Sequence, residues 1–201
     1  MPTIRRFRLA LAAPLAALAL SACGINSIPT AEENVKARWA DVQNEYQRRA
    51  DLVPNLVATV KGYAQQEKSV LTAVTEARAK ATAINVSADD LDDPAKLQRL
   101  GQAQGELSQA LGRLLAVSEN YPELKSNANF LALQSQLEGT ENRITIARRD
   151  YNQAVQAYNT RIRTFPDAIG AKIFYGAKAK TPFEATAPNA EKAPTVNFGQ
   201  D

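Results

Sequence analysis

Three long runs of the chain place apolar side chains at alternating steps of three and four residues. This spacing puts them on one face of an α-helix and is typical of helices that pack along each other as coiled coils. The first run comprises Val35, Trp39, Val42, Tyr46, Val53, Leu56, Val60, Tyr63, Val70, Val74, Ala77 and Ala81. The later runs comprise Leu97, Leu100, Leu107, Leu111, Leu114, Tyr121, and then Phe130, Leu133, Leu137, Ile144, Ala147, Tyr151, Ala154, Tyr158 and Phe165. The sequence therefore predicts an all-α fold.

The first run predicts one helix of unusual length. Thr30 and Glu33 have the spacing of a capping box, so we expect the helix to begin near Ala31. About 50 residues at 1.5 Å each would make it about 75 Å long. Pro54 lies inside the pattern and lacks a backbone donor, so we expect a kink or a short break there.

Prolines set the remaining boundaries. Asp93-Pro94 predicts the start of a middle helix, Tyr121-Pro122 its end, and Phe165-Pro166 the end of a third helix, with a short helix after it. Short connections favour antiparallel neighbours. We therefore expect an antiparallel bundle of about three long, coiled-coil-like helices over residues 31–175. An Ala- and Pro-rich tail, residues 176–201, is expected to be mobile or to lie along the bundle through Phe183.

Composition excludes several classes of function. The net charge of +3 arises from three arginines near the N-terminus, and without them 21 basic residues face 21 acidic ones. A neutral chain lacks the concentrated positive charge that nucleic-acid binding needs. The chain also has no histidine, which removes Ser-His-Asp and Cys-His catalysis and imidazole metal ligation. We expect no enzyme activity, no cofactor and no metal.

The N-terminus has the layout of an export signal. Arg5, Arg6 and Arg8 precede an apolar stretch, Leu9–Leu20, and small residues follow up to Ala22. The apolar stretch is about a dozen residues long, whereas a membrane-spanning helix needs about 20. We therefore expect residues 1–22 to be a signal peptide that is cleaved after Ala22.

The four residues Leu20-Ser21-Ala22-Cys23 resemble the lipobox of bacterial lipoproteins, and Cys23 is the only cysteine. The resemblance implies that Cys23 carries acyl chains such as palmitate and becomes the first residue of the mature chain, with residues 23–30 as a tether. Gly24 stands where an aspartate favours retention in the inner membrane, so we expect the outer membrane, with the domain facing the periplasm. The alternative is an ordinary secretory signal that leaves Cys23 as a free thiol.

Charged and polar residues inside the runs are the candidate binding residues. Arg49 and Glu67 interrupt the first run, and five helical turns separate them, so they cannot pair with each other. Either could meet Arg148, Glu141 or Arg143 across the bundle and so set its register. A polar site between helices would draw on Arg49, Asp51, Asn55, Glu141 and Arg148.

The acidic stretch around Asp89–Asp93 is a possible calcium loop, because hard cations require several oxygen ligands. Its spacing does not match an EF-hand. We interpret it as a solvated connection that ends in a helix cap.

Several blocks of the sequence resemble the LemA family. They are Arg48-Arg49-Ala50-Asp51-Leu52-Val53-Pro54-Asn55-Leu56-Val57, Glu119-Asn120-Tyr121-Pro122-Glu123-Leu124-Lys125, Leu137-Glu138-Gly139-Thr140-Glu141-Asn142-Arg143-Ile144, and the Tyr-Asn pairs at 151–152 and 158–159. The resemblance covers most of residues 34–198. It implies an antiparallel bundle of long helices, held at a membrane by its N-terminus, and it implies no reaction. The expected lipid at Cys23 departs from relatives that keep a hydrophobic anchor.

These features favour an envelope lipoprotein that acts as a non-enzymatic helical scaffold. Its partners would be the membrane, through the acyl chains, and either another envelope protein or a second copy of the chain. The alternative is a periplasmic ligand carrier or an enzyme with a polar site between helices.

Overall fold

In the computed structural model, which describes residues 26–184, every regular element is helical. The elements are α1 (Ser27–Tyr63), α2 (Lys68–Ala83), α3 (Pro94–Val117), α4 (Pro122–Lys125), α5 (Ala128–Arg161) and α6 (Asp167–Gly170), with 3-10 turns at Ala88–Asp92 and Ser118–Asn120 and a π-helical turn at Ala171–Tyr175. The predicted all-α class is thus confirmed for this part of the chain. None of these helices is both long enough and apolar enough to cross a membrane. The leader, Cys23 and residues 185–201 lie outside the described residues.

The first apolar run forms two helices rather than one. α1 is continuous through Pro54, and the break expected there occurs instead at residues 64–67. α2 then runs back along α1, and Ala64 at the break is fully buried. One long helix and a hairpin of two helices show the same apolar period, because each helix buries one face. The period alone therefore could not locate the reversal.

At Pro54, the helical carbonyl that loses its donor within α1 is served by a contact from α2. A proline cannot donate to the carbonyl four residues before it, which here belongs to Ala50. That carbonyl instead accepts a hydrogen bond from Nε of Arg78, at 2.7 Å. The guanidinium of the second helix thus replaces the donor that Pro54 lacks.

α1 begins at Ser27, four residues before the expected start at Ala31. Thr30 already lies in the helix, where its hydroxyl donates to the carbonyl of Asn26 at 2.8 Å, so the predicted capping box does not form. Ile28 in this first turn is 1% exposed. Burial of Ile28 extends the helix beyond the boundary that the capping residues indicated.

α1 packs along α5, and α3 packs along α2. The end of α1 contacts the start of α5, where the amide of Asn127 donates to the Tyr63 hydroxyl at 2.8 Å. The start of α1 contacts the end of α5, where Arg161 donates to the carbonyl of Ser27 at 3.0 Å. Two clusters of buried side chains fill the space between the helices, and Ile84 packs against both. The start of α1 and the end of α5 therefore lie at the same end of the molecule.

The role of Arg78 can be tested with a double-mutant cycle. We expect Arg78→Met to lower the free energy of unfolding by about 1.5–3 kcal/mol, because the buried end of a charge-assisted hydrogen bond is lost. In a Pro54→Ala background a backbone amide at position 54 can serve the Ala50 carbonyl, so the same replacement should cost about 1 kcal/mol less. Urea unfolding followed by circular dichroism measures both.

Arg113→Met is the matched control, since Arg113 is exposed on α3. It should leave the free energy of unfolding nearly unchanged in both backgrounds. An equal cost of Arg78→Met with and without Pro54 would contradict the proposed compensation.

Candidate functional site

A single guanidinium joins three helices at the centre of the bundle. Arg49, on α1, is 2% exposed. Its Nη1 donates to Oε1 of Glu141 on α5 and to Oγ of Ser108 on α3, both at 2.7 Å. Its Nη2 donates to the backbone carbonyl of Gln104 at 3.3 Å and to the side-chain oxygen of the same residue. The predicted cross-bundle partner of Arg49 is thus Glu141.

Two buried polar atoms at the Arg49 cluster lack a hydrogen-bond partner within residues 26–184. The hydroxyl of Tyr46 and Nε of Arg49 are buried and have no hydrogen-bond partner among the described residues. The guanidinium carbon lies 5.5 Å from the centre of the Tyr46 ring. Burial raises the pKa of Tyr46, and the nearby charges of Arg148 and Arg49 only partly oppose this rise. Tyr46 is therefore a neutral phenol.

The five residues of the predicted polar site do not all converge. Arg49 and Glu141 form an ion pair. Asp51 is exposed and accepts a hydrogen bond from Gln47, one turn earlier on α1. Asn55 is also exposed, and Arg148 contacts the C-terminal segment of the chain. The arrangement is a buried guanidinium paired with a carboxylate that is 40% exposed, while the other three predicted residues have different surroundings.

A groove of about 270 Å³ opens beside this cluster, between α1 and the connection that follows α2. Trp39 Nε1 and Gln43 Nε2 both donate to the carbonyl of Val86, at 3.0 and 3.1 Å, and so hold the connection against α1. Tyr46 and Gln104 line the groove as well, and none of the described residues that line it is charged. The groove suits a small uncharged group, and its lining offers no acid–base pair.

The acidic residues of the connection before α3 have separate partners. Hydrogen bonds, chiefly from Lys96, lower the pKa of Asp90 to about 2. Asp92 pairs with Lys178 at 3.2 Å, and Asp93 caps α3. Among residues 26–184, no three histidine, cysteine, aspartate or glutamate side chains form a group that could hold a metal ion. The cap expected at Asp93 is present.

An extended C-terminal segment, residues 177–184, is held on α5 by two asparagines that the sequence interpretation did not single out for this role. Asn152 donates to the carbonyl of Phe183 at 2.9 Å and accepts from its amide at 2.8 Å. Asn159, seven residues later, makes the same pair of bonds with Lys180, both at 2.8 Å. Each side-chain amide thus both donates to and accepts from the backbone of one residue, as a paired residue of a neighbouring β-strand would. We call these two residues the asparagine clasp.

Aromatic side chains complete the attachment of this segment. The Phe183 ring lies 5.8 Å from the Trp39 ring and 5.5 Å from the Tyr151 ring, and the guanidinium of Arg148 lies 4.6 Å from it. The segment through residue 184 therefore lies along the bundle, the alternative that Phe183 had suggested. The sequence feature that indicates this attachment is the repeat of a Tyr-Asn pair after seven residues, because it places two side-chain amides on the same face of the helix.

Several residues of the contacts described above, among them Arg49 and the asparagine clasp, lie in the blocks that resemble a known family. The LemA family profile matches residues 38–198. The chain belongs to the LemA family. Arg49, Pro54 and the asparagine clasp all lie inside the matched region, so in this LemA-family chain the family blocks coincide with contacts between helices.

Relatives of the chain include magnetosome proteins. MamQ 1 and MamQ 2 of Paramagnetospirillum magneticum are each 29% identical over 157 residues, which are 70% of this chain and 58% of theirs. Protein LemA of Metamycoplasma hominis is 28% identical over 121 residues, 60% of this chain and 51% of its own. The chain thus spans between half and three-fifths of the length of these relatives.

Removal of one half of the clasp should release the C-terminal segment. We expect Asn152→Ala to lower the free energy of unfolding by about 2 kcal/mol, since two hydrogen bonds are lost. Trypsin should also cut faster after Lys180, whose side chain is only 10% exposed. The cleavage rate and the emission of Trp39, the only tryptophan, measure the release.

Asn142→Ala, at an exposed position of the same helix, is the matched control and should change neither quantity. Unaltered cleavage in Asn152→Ala would show that the aromatic contacts hold the segment without the clasp.

The Arg49 cluster predicts a large difference between two neighbouring substitutions. Arg49→Ala should cost about 3 kcal/mol or more, because three helices lose their common donor. Tyr46→Phe should cost less than about 0.5 kcal/mol, because the hydroxyl that it removes makes no hydrogen bond to the protein. Chemical unfolding of both variants tests this, and a costly Tyr46→Phe would contradict it.

Proposed function

We propose that this LemA-family protein is an envelope lipoprotein, anchored by acyl chains on Cys23, whose antiparallel, coiled-coil-like bundle acts as a non-enzymatic scaffold. Its outer helical faces bind another envelope protein or a second copy of the chain. The lipid holds it at the periplasmic side of a membrane, with the outer membrane favoured by Gly24.

The observation that carries this proposal is that the polar groups around the buried Arg49 are taken up by contacts between helices. Glu141, Ser108 and Gln104 each accept a hydrogen bond from Arg49, so the guanidinium is used in contacts between three helices. A catalytic or ligand-binding site requires polar groups that remain free to meet a substrate. Pairing between helices instead stabilises one arrangement of the bundle, which is what a scaffold requires.

The relatives support the same interpretation without naming a reaction. MamQ 1 and MamQ 2 are named as magnetosome proteins, which states a location. The anchor rests on the lipobox resemblance and on the position of Cys23, the only cysteine, at the predicted cleavage site. An unpaired cysteine in an exported chain is accounted for by lipidation.

A ligand carrier is the second candidate. The groove beside Tyr46 favours it, because a small uncharged ligand could occupy that space, and the Tyr46 hydroxyl, which is buried and has no partner among the described residues, would be its hydrogen-bond donor once exposed to the groove. Tyr46→Phe would remove the donor while leaving the groove its shape. Loss of a bound small molecule from the purified protein in that variant would support the carrier over the scaffold.

The experiment that tests the scaffold combines the mass of the mature N-terminus with crosslinking in cells. A photoreactive residue at Ile146, which is 41% exposed on α5, samples an outer face of the bundle. We expect the mature N-terminal peptide to carry acyl chains on Cys23 and the photoreactive residue to give one discrete crosslinked product. Mass spectrometry identifies both.

Two variants separate the anchor from the scaffold. Cys23→Ala should abolish acylation and reduce the crosslinked product, whereas Ser21→Ala keeps a small residue at the cleavage site and should preserve both. A mature peptide that begins at an unmodified Cys23 would exclude the lipoprotein. An acylated protein without any crosslinked product from position 146 would contradict the scaffold.

A further inference from the structure

Large apolar side chains are exposed together at one end of the molecule. Five of them lie within residues 165–175, whereas Tyr63 and Leu131 lie towards the opposite end, where the end of α1 meets the start of α5, and Ile146 lies along α5. We name this group the apolar ledge; its members are Phe165, Ile169, Ile173, Phe174 and Tyr175, with Phe165 82% exposed and Ile173 68% exposed. A concentration of exposed apolar surface marks a place where something other than water binds.

The ledge is fixed to the first turn of α1. The Ser27 hydroxyl donates to Asp167 at 2.7 Å, and Arg161 pairs with the same carboxylate at 3.6 Å. Gly170 packs against Ile28, since a Cβ at that glycine would lie 3.7 Å from the isoleucine side chain. The ledge and the beginning of α1 are therefore parts of one rigid end.

This end lies close to the residue that we propose to be acylated. Cys23 precedes Ser27 by four residues, which even when fully extended span at most about 14 Å. An acyl chain on Cys23 would therefore hold Ser27, to which the segment of the ledge is attached, within about 14 Å of the bilayer surface, wherever the connecting residues lie.

The composition of the ledge fits a lipid surface. Phenylalanine and tyrosine rings are suited to the boundary between headgroups and acyl chains. Arg163 and Lys172 are exposed in the same segment, and neither forms an ion pair with another described residue, so both can meet lipid phosphates. An apolar surface bordered by cations is the pattern of a segment that lies in the membrane interface.

From these observations, and resting on the proposed lipid anchor, we propose that the apolar ledge inserts into the membrane interface. The lipid bilayer is its partner, and the ledge is a second point of attachment beside Cys23. Two attachments at one end hold the bundle upright. The opposite end, where α1 meets the start of α5, then stands about 50 Å from the membrane, the length of the 34-residue α5.

Quenching of a fluorophore by nitroxide-labelled lipids tests this insertion. The full acylated protein is reconstituted in vesicles of phosphatidylethanolamine and phosphatidylglycerol, and a fluorophore is attached to Phe174→Cys. Acylation occupies the thiol of Cys23, the chain's only native cysteine, so the label is confined to position 174. Leu131→Cys is the matched control, because Leu131 is an exposed apolar residue near the start of α5.

We expect nitroxide lipids to quench the label at position 174 about twofold or more, and the label at 131 hardly at all, since about 50 Å separates the ends of α5. A label at Ile169→Cys should be quenched as well. This quenching should be lost when Ile173→Asp and Phe174→Asp are added, while the helix content and the Trp39 emission stay unchanged.

Mass spectrometry of the same sample separates the two ways in which the idea can fail. An acylated protein on vesicles whose label at 174 is not quenched would overturn the insertion of the ledge and leave the anchor intact. Equal quenching at 174 and 131 would also overturn it, because the bundle would then lie flat. Absence of acyl chains on Cys23 would overturn the proposed anchor and, with it, this inference.

Discussion

Burial of the apolar faces of α1 and α5 against each other is the constraint on which the other segments depend. Each helix is more than 30 residues long, so their contact spans the molecule and pairs the start of one with the end of the other. The hairpin of α1 and α2 and the adjoining α3 must then cover what remains of the apolar faces. The start of α1 and the residues just after α5 are brought to one end, where the ledge lies.

Contacts between helices accommodate two residues that are unfavourable where they stand, a proline inside a helix and a charged residue in the apolar interior. Pro54 removes a hydrogen bond inside α1, and Arg78 from α2 supplies the missing donor. Arg49 places a charge in the apolar interior, and acceptors from α3 and α5 surround it. An unpaired buried polar group costs free energy, so both residues favour the one arrangement in which their partners are present. We therefore expect them to restrict the register of the bundle more strictly than the apolar side chains alone do.

The described part of the chain has a packed interior and one end at which apolar side chains are exposed. The interior is filled by apolar side chains and by the polar groups around Arg49, where only the Tyr46 hydroxyl and Arg49 Nε lack a partner among the described residues, and the clasp ties the C-terminal segment to α5. At the end beside Ser27, apolar side chains stay exposed although the fold has buried residues of the same type elsewhere. A scaffold attached to a membrane there would keep the remaining helical faces available to a partner, which connects the proposed anchor, the ledge and the proposed function.

The sequence by itself determined the helical class, the cap at Asp93, the helix ends near Pro122 and Pro166, and the candidate partners of Arg49. These are local or nearly local properties, since apolar periodicity and capping chemistry act over one or two turns. Only the tertiary structure decided that the first run reverses at residues 64–67, that Arg78 supports Pro54, that α1 begins at Ser27, and that Asn152 and Asn159 bind an extended segment. Each of these depends on contacts between residues distant in sequence, and one apolar period is compatible with many such pairings until the whole core has been packed.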